Sequence, residues 1–147
     1  MKITPHFALH EFSCRDGTTY PREWIVERLL PLCEVLEVLR AELGTLFGDV
    51  RIAIDSGYRT RAYNAGLPGA ATLSQHCEGR AADIRGLVLR REILQPLAPS
   101  LVHDTVLRLH QAGKLRLGGL GKYATFTHCD TRPAATLVRW GGKRTHN

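Results

Sequence analysis

The segment Ser74-Gln75-His76-Cys77-Glu78-Gly79-Arg80-Ala81-Ala82-Asp83-Ile84 constrains this chain more than any other. His76 and Asp83 offer an imidazole nitrogen and a carboxylate oxygen, both good ligands for a divalent metal of borderline softness. Gly79 permits a tight bend after His76, and the paired alanines let Asp83 lie against neighbouring backbone. Small residues beside two ligating side chains describe a crowded site and not a solvated loop. Taken alone, the pair has an ordinary reading as well: a turn histidine and a strand-end aspartate, each bonded locally. Two further stretches shift the balance, Ser56-Gly57-Tyr58-Arg59 upstream and Thr127-His128-Cys129-Asp130-Thr131-Arg132 downstream. His76, Asp83 and His128 together supply two imidazoles and a carboxylate. Three protein ligands leave open the fourth tetrahedral position that a catalytic zinc requires.

Around this segment the chain reads as one domain over residues 1–147, long enough to bury a core without crosslinks. Residues 1–20 form an N-terminal arm with Phe7 and Phe12 as aromatic anchors, and 141–147 a loose tail. Pro21 suits the start of a helix. Ile25, Leu29, Leu32, Leu36, Leu39 and Leu43 then recur at three- and four-residue steps, one apolar face of a helix that Pro31 kinks or splits near Leu30 and that Gly44 and Gly48 stop. Val50 to Ile54 alternates as a strand, Thr60 caps a short helix to Gly66, and Arg80 to Ile84 is the next strand. Residues 86–99 read as a short helix broken by Pro96 and Pro99. Leu101 to Ala112 is helical with Gly113 as its stop. Leu115 to Leu120 is a glycine-rich strand or turn, and Thr125 to Asp130 and Leu137 to Trp140 are the last strands. The fold class is α+β, a small antiparallel sheet flanked by helices.

Composition narrows the partners. The net charge of +6 favours an anionic one, such as nucleic acid, an acidic polymer or a bacterial wall. The basic residues are dispersed, without a recognition-helix or aromatic-basic pattern, so nucleic acid is not expected. No apolar run reaches the length of a membrane span, and Met1-Lys2-Ile3-Thr4-Pro5-His6 lacks the apolar core of a signal peptide. The expectation is synthesis in the cytoplasm and action on the wall after release or delivery by another route. Cys14, Cys33, Cys77 and Cys129 show no paired spacing and read as reduced, buried fillers. A thiol hydrolase built on Cys77 or Cys129 is the weakest of the chemical readings.

The order Ser56-Gly57-Tyr58-Arg59, Ser74-Gln75-His76-x-x-Gly79-x-Ala81-x-Asp83, His128-x-Asp130 resembles the zinc D-alanyl-D-alanine carboxypeptidase family of the hedgehog/D,D-peptidase superfamily, in particular its phage-associated branch. The resemblance runs from Phe7-Ala8-Leu9-His10-Glu11-Phe12 to Arg132. It implies a hedgehog/D,D-peptidase-like domain holding one Zn2+ per chain on His76, Asp83 and His128. It also implies hydrolysis of a D-amino-acid-containing bond in peptidoglycan stem peptides, by a monomer. Arg59 resembles the family's arginine that faces a substrate carbonyl or carboxylate; its ordinary alternative is a surface ion pair. Many relatives carry an acidic residue or histidine two or three positions before the last zinc histidine, acting as general base. Here those positions are Thr125 and Phe126, which cannot accept a proton. Asp130 is the nearest carboxylate and is either that base or the group that orients His128 or pairs with Arg132; Glu78 is the next candidate. Ser74 and Gln75 either bind substrate or ligand, or cap the turn. The competing function is a catalytically silent zinc-binding module of a cell wall or phage structure.

Overall fold

The computed structural model describes residues 1–141. The arm opens with a small hairpin of β1 (Lys2–Thr4) and β2 (Phe7–Ala8) and continues as a 3-10 turn over Leu9–Phe12. Phe7 and Phe12 are buried and tie the arm to the core. Behind Pro21 the chain makes a 3-10 turn (Arg22–Trp24), a π-helical turn (Ile25–Leu29) and then α1 (Leu30–Phe47). Pro31 accounts for the change of pitch. It has no N–H to return to the preceding turn, and the N–H of Leu30 reaches back to the Ile25 carbonyl, five residues away. Leu29, Leu32, Leu36, Leu39 and Leu43 are fully buried along one face. Gly48, at φ +103°, ends α1 with its N–H on the Gly44 carbonyl. Gly44 itself is helix interior, so one of the two expected stops is not a stop.

The main sheet follows. β3 (Val50–Ser56) leads to α2 (Arg61–Ala65), whose first turn is capped by Thr60 Oγ1 accepting from the Tyr63 N–H at 3.1 Å. β4 (Ala81–Arg90) and β5 (Ile93–Pro96) form a hairpin, which corrects the short helix expected over 86–99. Its two-residue turn places Arg91 and Glu92 at φ 51° and 67°, with no glycine or asparagine to announce it. Pro96 ends an edge strand, and Pro99 starts α3 (Pro99–Gln111) where its missing N–H is harmless. β6 (Gly119–Lys122), β7 (Thr127–Asp130) and β8 (Val138–Gly141) complete the sheet. The order is β3-β4-β7-β6-β8, with β5 beside β4. β8 runs parallel to β6, so the sheet is mixed and not purely antiparallel. After β7 the chain passes beyond β6 and pairs along its outer edge. Gly141 closes β8, and the rest of the expected tail, 142–147, lies outside the described residues. No helix among the described residues is long and apolar enough to cross a membrane.

Strand alternation sorts the sheet into two faces. Ile84 pairs with Thr127, and Ala82 with Cys129 and, through it, Leu120; these side chains face α1 and α3. A Cβ on Gly86, on the same face, would meet Val102 of α3 and Leu43 of α1. The opposite face carries Ser56, Asp83, His128, Gly121 and Trp140 in one row across β3, β4, β7, β6 and β8. The next row holds Ala81, Asp130, Gly119 and Val138. The apolar layer thus covers one face of the sheet and the polar rows lie on the other.

The two glycines of α1 should respond to alanine in opposite directions. Neither Cβ would meet another atom within 4 Å, so only the backbone decides. Gly44→Ala should stabilise the fold by about 0.5–1 kcal/mol, through helix propensity. Gly48→Ala should destabilise it by about 1–3 kcal/mol, through its positive φ. Urea unfolding midpoints check both; a shift of the same sign in the two variants would contradict this assignment of the helix end.

Candidate metal centre and active site

Two loops and two strands bring the polar row together. Asp83 and His128 are cross-strand partners on β4 and β7. His76 comes from the turn that precedes β4. Its carbonyl accepts the Arg59 N–H at 3.1 Å, which fastens that turn to the loop after β3. Gly79, at φ +68°, closes the turn, and a Cβ there would sit 2.7 Å from the Tyr20 hydroxyl. That hydroxyl donates to the Gly79 carbonyl at 2.6 Å. Ser74 is buried and its Oγ accepts the His76 N–H at 3.1 Å. Gln75 is half-buried, and its carbonyl accepts the N–H groups of Glu78 and Arg80, both at 3.1 Å.

The side-chain hydrogen bonds fix which ring nitrogen of each histidine points inward. His76 Nδ1 lies 2.7 Å from the Gly57 carbonyl oxygen, an acceptor only, so Nδ1 carries the proton and Nε2 presents a lone pair. His76 Nε2 is 3.2 Å from Asp83 Oδ1. His128 Nε2 donates to Asp130 Oδ2 at 2.7 Å, which leaves Nδ1 facing the same Asp83 Oδ1 at 3.0 Å. One carboxylate oxygen therefore meets two inward-pointing imidazole nitrogens, all buried. Acceptors converge in this way around a cation. The three ligand atoms lie within 4.8 Å of one another, and tetrahedral zinc with bonds near 2 Å sets its ligands about 3.3 Å apart. Two nitrogens and one carboxylate oxygen also match the chemical preference of zinc, so these residues fit the ion and could hold it.

A surrounding set of groups holds these ligands. Arg59, 1% exposed, donates from Nη2 to Asp83 Oδ2 at 3.2 Å, from Nη1 to Asn64 Oδ1 at 3.2 Å and from Nε to Ser56 Oγ at 3.1 Å. Asp130 is fully buried. Its Oδ1 accepts from Arg132 Nε at 2.9 Å and its Oδ2 from Arg132 Nη2 at 2.6 Å, besides the bond to His128. The His128 ring thus separates Asp130 from Asp83. Trp140 packs on His128 with ring centres 5.1 Å apart, and the Arg132 guanidinium lies 5.2 Å from the Trp140 ring. The glycines of β6 make room for this group. A Cβ on Gly119 would come within hard contact of the Asp130 carboxylate, and one on Gly121 would sit 2.5 Å from the Trp140 indole nitrogen. Glu78 is held by Arg61 at 3.0 Å and lies 3.7 Å from Arg28.

Asn64 and Trp140 were not legible as site residues. Asn64 carries only a helix-surface signal in α2, and Trp140 reaches His128 through the parallel pairing of β8. The thiol reading has no support in geometry. All four cysteines are free and buried, and burial pushes the thiols of Cys77 and Cys129 up, away from the reactive thiolate. His103 bonds Asp104 and His110 accepts from the Leu117 N–H, and neither belongs to the cluster. A cleft of about 170 Å³ reaches the centre at Asp83, and Arg59, Arg15, Asp55, Tyr63 and Phe126 also line it.

The electrostatics follow from burial and pairing. Burial holds His76 below the ordinary imidazole value, against the pull of Asp83. For His128 burial works the same way, but hydrogen bonds to Asp130 and Asp83 overcome it and hold the ring above that value. Burial would raise both carboxylates. His76 and His128 instead hold Asp83 far below the carboxylate range, and Arg132 and His128 do the same for Asp130.

The family model of Peptidase M15 matches residues 5–130, and no curated protein or solved structure matches the chain significantly. The chain belongs to the Peptidase M15 family, whose members are zinc-dependent peptidases. Zinc held by this cluster would compete with the proton on His128 Nδ1. Because that proton is held above the free value of about 6.5, it stabilises the metal-free protein below that pH and is lost as pH rises through the raised value. Zinc affinity should accordingly climb through that window and level off above it. Calorimetry at pH 6.5 in buffers of different ionisation enthalpy should register release of roughly one proton per zinc, fading at higher pH. Zinc uptake at pH 6.5 that is independent of the buffer would contradict the assignment.

Proposed function

We propose that this Peptidase M15 chain is a zinc metallopeptidase that hydrolyses a D-amino-acid-containing bond in bacterial peptidoglycan stem peptides, acting as a monomer with one zinc. The observation that carries the reading is the convergence of His76 Nε2 and His128 Nδ1 on Asp83 Oδ1, in a carboxylate that also lines a cleft. When bound, zinc polarises a scissile carbonyl and lowers the pKa of water to near neutrality. The chain's own residues do the rest. Gly57 and Asp130 lock the two rings so that opposite nitrogens face inward. Arg59 takes the second oxygen of Asp83, which leaves Oδ1 for the metal. Arg59 also lines the cleft, and its fixed positive charge there favours developing negative charge on substrate. Ser74 and Gln75 shape the turn that carries His76. The cleft's one carboxylate besides Asp83 is Asp55, bonded through both oxygens to Arg85 Nε at 2.9 and 2.8 Å. Delivery to the wall in a phage context is the setting that the motif resemblance suggests.

The second reading, a zinc module without turnover, is favoured by one observation. Phe126 lines the cleft where many relatives have an acid or histidine, and Asp130 lies behind His128. Mass spectrometry of purified muropeptides incubated with the zinc-loaded protein separates the two. Loss of a D-alanine or scission of the stem is the expected result, and an unchanged muropeptide pattern would leave the silent module.

For Asp130 we propose the orienting role. Asp130→Asn should weaken zinc binding about ten- to a hundredfold and regain turnover under excess zinc. If turnover at saturating zinc instead stays down by roughly a hundredfold or more, Asp130 is the proton acceptor.

A further inference from the structure

The cleft above Asp83 carries a cation that its own acids do not neutralise. Arg15 stands exposed on its wall, on the turn between Cys14 and Thr18. Its Nε donates to the Asp55 carbonyl at 3.0 Å, and its Nη2 to the carbonyls of Ile54 and Asp55 at 2.6 and 2.7 Å. All three acceptors are neutral. The two carboxylates of the cleft are matched elsewhere, Asp55 with Arg85 at 2.8 Å and Asp83 with Arg59 at 3.2 Å. Among the described residues Arg15 has no carboxylate within ion-pair distance.

The arginine is also held in place. Cys14 N–H bonds the Thr18 carbonyl at 2.8 Å and Gly17 N–H the Cys14 carbonyl at 3.0 Å, with Gly17 at φ +97°. Asp16 Oδ1 accepts the Thr18 N–H at 2.8 Å, and its Oδ2 accepts from Thr60 Oγ1 at 3.1 Å, which fastens the turn to the start of α2. A surface arginine ordinarily gives up side-chain freedom when it meets a ligand. Here two of its three nitrogens are already bound to backbone, so less is lost on binding. Nη1 takes no part in those three bonds and keeps its donors for a further acceptor.

We propose that Arg15 anchors a free carboxylate of the peptide substrate, so that this chain prefers peptides with a main-chain or side-chain carboxylate close to the bond at the metal. The inference rests on the peptidase reading of the site and deepens it by naming what the cleft selects. An anionic acceptor satisfies Nη1 and gives Arg15 the charged partner that its three carbonyl acceptors do not. The small cleft sets a short distance between that carboxylate and Asp83.

The test uses the pentapeptide L-Ala-γ-D-Glu-L-Lys-D-Ala-D-Ala as free acid, as C-terminal amide and as glutamate α-amide. Binding to the zinc-loaded wild type, Arg15→Gln and Arg15→Lys is measured by calorimetry, and cleavage by mass spectrometry. The wild type should bind the free acid about ten- to a hundredfold more tightly than one of the amides, which identifies the carboxylate read. Arg15→Gln should abolish that preference, and Arg15→Lys, which keeps the charge but not the fork, should retain part of it. Equal binding of acid and amides by the wild type, binding of none, or an undiminished preference in Arg15→Gln overturns the proposal. Should Arg15→Gln fail to fold, Arg15→Lys decides: an unchanged ratio overturns the proposal and a reduced one sustains it. Cleavage is read separately. Arg15-dependent binding without cleavage sustains carboxylate recognition and refutes the peptidase reading; cleavage without Arg15 dependence does the reverse.

Discussion

One carboxylate oxygen facing two imidazole nitrogens is the constraint around which this fold is arranged. Asp83 Oδ1 stands 3.2 Å from His76 Nε2 and 3.0 Å from His128 Nδ1, and all three side chains are buried. Buried acceptors in such proximity repel one another unless a proton or a metal ion lies among them. The protein therefore holds the three groups by bonds to their other atoms: Gly57 and Asp130 on the far ring nitrogens, Arg59 on the far carboxylate oxygen. Two of those are bound in turn, Asp130 by Arg132 and Arg59 by Asn64 and Ser56. Losing one outer partner would release a candidate ligand without removing it, so such changes are expected to act first on metal affinity.

The sheet makes this arrangement compatible with a stable core. Side chains of β4 and β7 alternate between a face packed on α1 and α3 and a face that carries the ligands. A register slip of one residue would bring Asp83 and His128 into the apolar layer and Ala82 and Cys129 out of it, so burial of the core also fixes the pairing of the ligands. Gly119 and Gly121 serve the same row, since any side chain there would displace Asp130 or Trp140. Glycine in a strand interior weakens the strand, and here that loss is accepted for close approach.

Much of this was legible in the sequence because its signals are local. The leucine stripe of α1 follows helical period, and Thr60 caps α2 because its hydroxyl precedes a helical turn. The ligand types stood out because two imidazoles and a carboxylate flank small residues. What was not legible depends on pairing between distant segments. The turn at Arg91-Glu92 lacks the residues that favour positive φ, so β5 was read as a broken helix. The parallel placement of β8, and with it Trp140 over His128, depends on a connection whose path no local pattern specifies. The bonds from Arg59 to Asp83, Asn64 and Ser56 likewise join segments that no local pattern brings together.

X-ray absorption at the zinc edge of the loaded protein tests the account at its centre. Coordination by His76, Asp83 and His128 predicts a first shell of nitrogen and oxygen only, at about 2.0–2.1 Å, with the outer-shell scattering of two imidazoles. A sulfur scatterer near 2.3 Å would bring Cys77 or Cys129 into the coordination sphere and contradict it.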